Sequence, residues 1–346
     1  MKRSKIKTIL IGLGRICSSL ETDPFRKKPC THMGVLQSDW GKDRFEFILG
    51  LDSHSEKCES FQSSWNLPAE TVHPDPSKFS LPKSIQLAVI STPSVSHENW
   101  AIHCITQGIP NLLIEKPVAL TESGAKRIQK HAIKYNTRIW INHERRYHPS
   151  YKYVKEQLTK GNLGKLKSIR ASVFTSAKNP GLAFSKLGGG PLLHDGTHAV
   201  DLLHWILGKS KLVDSRLERP KKGATESRAV AWFRSMEGVD VFLDVSGGRK
   251  YFQFELDLHT DSHRIICSND GFQFFQSQTS KLYKGFQSLS PYDPPDFPSP
   301  ETANAFLGIY DEIYQVIKGN KQKMEGTLSD NIEILNMIES IYRKKR

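Results

Sequence analysis

Lys5-Ile6-Lys7-Thr8-Ile9-Leu10-Ile11-Gly12-Leu13-Gly14-Arg15-Ile16-Cys17 decides how the rest of the chain is read. A short apolar run that ends on glycines reads as a buried strand entering a tight turn. Glycines there let the backbone approach a pyrophosphate, and the N-terminus of the helix that follows faces its negative charge. Gly12 and Gly14 fill the first two positions of a Gly-x-Gly-x-x-Gly pattern, and Cys17, small but not glycine, stands at the third. Alone, such a loop recurs by chance.

The sequence around it strengthens the reading. Phe45 to Asp52 is a second strand ending in an acid, and Ile85 to Ser91 a third, followed by Thr92-Pro93 and a helix carrying His97. Asn111-Leu112-Leu113-Ile114 leads into Glu115-Lys116-Pro117, and Thr137 to Ile141 is the next strand, with Asn142 directly after it. Helical stretches fall between, as at Glu122 to Tyr135, where Ala125, Ile128 and Ala132 recur at helical spacing. Strand and helix in alternation predict a parallel sheet covered on both faces, up to about residue 145. Beyond it the pattern changes to a helix at Pro149–Lys160 and β-rich segments at Lys167–Ser176, Ser227–Phe233, Val239–Ser246 and Phe252–His259. A hairpin through Asn269-Asp270-Gly271, an extended loop from Ser290 to Pro300 and two terminal helices follow. The prediction is an α/β chain: a Rossmann dinucleotide-binding domain at 1–145 and an α+β domain at 146–346.

The 346 residues suit two domains. A mean hydropathy of −0.46 predicts a water-soluble protein, and no apolar run reaches the ~20 residues needed to cross a bilayer. Lys2-Arg3-Ser4-Lys5 before Ile9-Leu10-Ile11 imitates a signal peptide, but Gly12 and Arg15 interrupt its apolar core at once. The five cysteines are scattered and form no Cys-x-x-Cys pair, which argues against a disulfide framework or zinc knuckle and for a reducing cytoplasm. The net charge of +13 is spread along the chain rather than gathered in a basic helix, so nucleic acid is not the expected partner. A positive field still draws in anionic ligands such as dinucleotides or nucleotide-linked sugars.

Asp52 is placed to accept hydrogen bonds from an adenosine ribose and to repel an added phosphate, which favours NAD while leaving NADP open. Its distance from the glycine loop is nearly twice the usual interval of about 20 residues. An insertion at Glu21–Thr31, before His32, takes up the excess. It reads first as a surface loop, and alternatively as a flap whose Arg26, Lys27 or Lys28 meets phosphate.

The glycine loop, Ser91-Thr92-Pro93, His97, Glu115-Lys116-Pro117 and Gly188-Gly189-Gly190-Pro191-Leu192-Leu193-His194-Asp195-Gly196-Thr197-His198 occur in an order that resembles the glucose-fructose oxidoreductase/inositol dehydrogenase/MocA family. Asn142 to Pro149, Gly161 to Lys165 and Asp201 to Gly208 are similar to further landmarks of that family. The resemblance implies a Rossmann domain joined to an open-faced, mainly antiparallel sheet that often mediates oligomerisation. It also implies hydride transfer at a hydroxyl or carbonyl carbon of a sugar, cyclitol or nucleotide-linked sugar. One position departs from the family: its aspartate four residues before the residue matching His198 is here His194, and the acid, Asp195, comes one place later.

Hydride transfer leaves charge on oxygen, so a proton must also move. Lys116, at the sheet edge where such folds bind ligands, is the first candidate, provided its surroundings bring a pKa near ~10.4 toward neutrality. An ordinary surface ion pair with Glu115 is the plain alternative. His198 is the second, with His194 or Asp195 as its companion. The ammonium and the imidazole are expected to converge where nicotinamide meets substrate. Gly12, Leu13, Gly14, Arg15, Ile16, Asp52, Thr92, Pro93, His97, Glu115 and Lys116 are expected to border the cofactor. His143, Arg146 and Tyr147 either line the substrate pocket or pack between domains, and Trp205 and Leu203 read as core. His194 and His198 have zinc-compatible spacing, but the glutamate of a metalloprotease is missing, so no metal is expected. The rival readings are a non-catalytic sensor of dinucleotide or sugar, and an NAD-dependent glycoside hydrolase.

Overall fold

The computed structural model describes residues 4–74, 81–176, 185, 188–221, 224–299 and 303–344. Lys2, Arg3 and Pro300, named above, lie outside them. The chain divides into two compact units, Met1–Tyr147 with Asn304–Ile332, and His148–Ala303 with Glu333–Arg346.

The first unit is built on six strands: β1 (Ile6–Ile11), β2 (Phe45–Leu51), β3 (Val72–His73), β4 (Leu87–Ile90), β5 (Asn111–Ile114) and β6 (Arg138–Ile141). They lie in the order β3-β2-β1-β4-β5-β6, and every pairing is parallel. β4 and β5 are buried at every position, as strands with both faces covered must be. Its helices are α1 (His32–Gln37), α2 (Asp39–Lys42), α3 (Ser55–Trp65), α4 (His97–Thr106) and α5 (Glu122–Tyr135). α5 starts where Thr121 Oγ1 accepts the Gly124 N–H and stops at Asn136, whose φ of 53° no helix continues. Its stripe of Ala125, Ile128 and Ala132 is buried, as the spacing predicts.

No helix follows the glycine loop directly. A 3₁₀ turn at Ser19–Thr22 comes instead, and α1 begins only at His32. Pro24 and Pro29 lack the N–H a continuing helix needs. The Glu21 carboxylate closes residues 21–31 into a loop by accepting the Cys30 N–H (3.0 Å) and the Thr31 hydroxyl (2.7 Å). Thr31 in turn caps α1 through the Gly34 N–H at 3.0 Å. Within this loop Arg26 pairs with Asp23 at 3.2 Å, Lys28 donates to the carbonyls of Leu20 and Asp23, and Phe25 is 97% exposed.

The second unit opens with α6 (Pro149–Thr159) and β7 (Leu166–Phe174), then α7 (Thr197–Leu207). β8 (Ser210–Glu218), β9 (Arg228–Ser235), β10 (Asp240–Ser246), β11 (Gln253–Thr260), β12 (His263–Ser268), β13 (Gly271–Thr279) and β14 (Gln287–Pro291) follow. The eight strands lie in the order β14-β13-β12-β11-β7-β10-β9-β8; β7 and β10 run parallel, and the remaining pairs are antiparallel. Alternate residues such as Ile169, Ala171, Val173, Val241, Leu243 and Val245 are buried, so one face is covered. Cross-strand ion pairs lie between them, Arg228–Asp244 at 2.6 Å and Arg264–Asp257 at 2.9 Å.

α8 (Ala305–Ile317) belongs to the first unit, where Ile309, Tyr310 and Ile313 join the core of Ile6, Leu10, Phe45 and Leu113. The last helix is α9 (Leu328–Arg343). No described helix is long and apolar enough to cross a membrane.

Candidate active site

The sheet order of the first unit reverses between β1 and β4, and Gly12 sits at that point. Its φ is +88°, and a methyl group on it would lie 2.6 Å from Thr92 N and 2.7 Å from the Ser91 carbonyl carbon. Only glycine meets both demands. The Ser91 hydroxyl donates to Gly12 O at 2.7 Å, and Gly12 N–H donates to Leu51 O at 2.7 Å. At Gly14 the same construction meets no atom within 4 Å, so the loop has room on that side for a phosphate to approach. These residues therefore fit a dinucleotide. Leu13 N–H donates to Asp52 Oδ2 at 2.9 Å, and His54 N–H donates to Asp52 Oδ1 at 3.0 Å. Asp52 thus braces the glycine turn as well as closing β2. Arg15 is exposed and Ile16 half-buried. Cys17 is buried, which pushes its thiol up to about 12 and makes it a core group rather than a reactive one.

At the carboxyl end of β5, Glu115 is only 7% exposed. Its Oε1 lies 3.0 Å from His32 Nε2 and accepts from Asn142 Nδ2; His32 Nδ1 lies 2.9 Å from the Tyr310 hydroxyl. Burial alone raises the Glu115 carboxyl, but the hydrogen bond and charge of His32, then Asn142 and Lys116, bring it below its ordinary value. Lys116, half-buried, follows it and enters a cis peptide with Pro117. His97 is buried with Nδ1 2.7 Å from Pro117 O and Nε2 2.8 Å from Thr92 O. Burial lowers its pKa, and a neutral ring donates to one of these carbonyls at a time. It joins the turn after β4 to the turn after β5. His32 and Tyr310 carried no role in the sequence reading; the only signal was a histidine heading the run Met33-Gly34-Val35-Leu36.

In the second unit Gly189 and Gly190 take φ of +86° and +88°, and a π-turn at Leu192–Gly196 precedes α7. From Gly190 to His204 every residue is buried except His194, Asp195 and His198. Asp195, inside the π-turn, is half-buried as both histidines are. His194 Nδ1 lies 2.8 Å from Asp195 Oδ1. The glycine turn is held from two sides. Glu226 accepts the Leu192 N–H at 2.9 Å and lies so close to Gly190 that a methyl there would come within 2.7 Å of the carboxylate. The Tyr342 hydroxyl donates to Gly189 O at 3.3 Å. Leu203 is core, as read; Trp205 is half-buried instead, with Lys155 Nζ 4.2 Å from its ring centroid.

His143, Arg146 and Tyr147 are each at most 2% exposed. His143 Nε2 lies 3.0 Å from Asn331 Oδ1, Arg146 donates to Asp330 at 3.2 Å, and Tyr147 donates to Glu325 O at 2.8 Å. All these groups lie within the first unit.

Six parallel strands in this order, with a glycine turn at the reversal, define a Rossmann dinucleotide-binding fold. Residues 6–143 match the oxidoreductase family with an NAD-binding Rossmann fold, and residues 151–269 match the GFO/IDH/MocA C-terminal domain. The chain belongs to the Gfo/Idh/MocA oxidoreductase family. It is similar to the rhizopine catabolism protein MocA of Rhizobium meliloti, with 29% identity over 35% of this chain and 38% of that protein. It is also similar to inositol 2-dehydrogenase 2 of Saccharopolyspora erythraea, with 26% identity over 44% of this chain and 43% of that one. The match thus spans less than half the length of both relatives. Among solved structures, the WlbA dehydrogenase of Bordetella pertussis in complex with NADH and UDP-GlcNAcA shares the fold, with a TM-score of 0.77 and 19% identity over 98% of this chain and 96% of that one.

Proposed function

We propose that the protein is a nicotinamide-dependent oxidoreductase that acts on a hydroxyl or carbonyl carbon of a sugar, cyclitol or nucleotide-linked sugar. The observation that carries this reading is Gly12, held at positive φ at the reversal point of a sheet whose β5 leads into Glu115-Lys116-Pro117. Gly12, Leu13, Gly14, Arg15 and Ile16 would hold the pyrophosphate and Asp52 the ribose; Thr92, Pro93, His97 and Glu115 would border the nicotinamide. When bound, that ring supplies or accepts a hydride. Lys116 moves the proton to or from the substrate oxygen, and His198, with the His194–Asp195 pair, orients hydroxyl groups. The names of the inositol dehydrogenase and the nucleotide-sugar complex support these two substrate classes, and a net charge of +13 suits the anionic one. The five buried thiols suit a reducing, cytoplasmic setting, and the sheet of the second unit suits a homo-oligomer.

Nicotinamide absorbance, followed with myo-inositol and with UDP-GlcNAcA as trial substrates, tests the activity. Lys116→Ala is expected to bind NADH nearly as before while turnover falls by about 100-fold or more. Undiminished turnover in that variant removes the lysine from its role.

A further inference from the structure

The string Tyr310–His32–Glu115–Asn142 is buried within the first unit, and a buried pair of this kind is weak ground for stability. Its use is better sought in the charge it keeps at one place. We propose that His32 holds Glu115 as an anion at the carboxyl edge of β5, and that this charge favours the oxidised, cationic nicotinamide over the reduced, neutral one. The inference rests on the reading that this edge borders the nicotinamide.

Burial holds the Tyr310 hydroxyl in its protonated form, 2.9 Å from His32 Nδ1, so the far side of the ring is hydrogen-bonded too. A carboxylate only accepts, so the Nε2 facing Glu115 is the nitrogen that carries a proton toward it. Asn142 donates to the same oxygen, so both bonds favour the carboxylate over the acid. Thr31, with Glu21, fixes the start of α1 and so the place of His32. A nicotinamide ring loses one positive charge on reduction, and a fixed anion in a low-dielectric edge separates the two states. Lys116 beside it carries the opposite charge, so the effect is read as a ratio between variants rather than as an absolute affinity.

The test is a fluorescence titration of the full chain with NADH, with NAD+ measured by competition. In Glu115→Gln and in His32→Leu the ratio Kd(NAD+)/Kd(NADH) is expected to rise about fivefold. His32→Gln keeps an N–H donor for Glu115 and is expected to stay within about twofold of the unaltered protein. The double variant His32→Leu/Glu115→Gln should show no further rise beyond about twofold. An unchanged ratio in Glu115→Gln, or equal weakening of both cofactors in all variants, overturns the proposal. If the unaltered protein binds neither cofactor, the reading of the glycine turn falls with it; normal binding, a disabled Lys116→Ala and an unchanged ratio defeat this inference alone.

Discussion

Gly12 shows how much one residue decides. Gly12→Ala would force a side chain into the left-handed region and against the backbone of Thr92. The expected result is a loss of about 1–3 kcal/mol of stability together with weakened NADH binding, read by thermal unfolding and titration. Glu226 makes a prediction about pH. Burial raises its carboxyl above the ordinary 4.5, against the lowering effect of the Leu192 N–H. The folded chain then keeps a proton that the unfolded chain has already released, so this group's contribution falls as pH climbs from 4.5 toward the raised value. Glu226→Gln removes that slope: its Tm relative to the unaltered protein should grow as pH rises through this window. A constant difference in Tm across it would show that the buried carboxyl does not titrate as described.

Among the elements, the turn before α7 departs from a regular helix by its π geometry. Its π-turn carries His194 and Asp195, and Glu226 and Tyr342 hold the glycines ahead of it. Glu226→Ala is expected to leave NADH affinity unaltered and to weaken substrate use, because it releases the start of α7 while the glycine loop of β1 belongs to the other unit. Steady-state kinetics beside an NADH titration separates the two; equal damage to both would contradict it. At α1, Thr31→Ala removes the cap and is expected to cost about 1 kcal/mol. The strands that ran as apolar or alternating segments were legible in the sequence, as was α5. β8 and β14 were not, because they lie at the two edges of their sheet, where fewer neighbours impose an apolar pattern.

For the whole molecule, the return of residues 304–332 to the first unit has a direct consequence. Ile309, Tyr310 and Ile313 fill part of the core around Phe45 and Leu113, so a chain ending at Tyr147 exposes that surface. Each buried Ile is worth about 1.5–3 kcal/mol, enough in sum to exceed the margin of a small domain. The fragment 1–147 is expected to aggregate or show no cooperative unfolding, and joining 304–332 to it through a linker should restore NADH binding. A stable, NADH-binding 1–147 fragment would show that α8 is dispensable. The sequence determined the parallel sheet, the glycine turn, the Glu115-Lys116-Pro117 edge and the run ending at His198, because each is written in neighbouring residues with a short period. Only the tertiary structure decided that His32 meets Glu115 across 83 residues, that Tyr310 stands behind it, and that Asp195 pairs with His194. Those pairings depend on where distant backbone segments come to rest, and no local pattern encodes them.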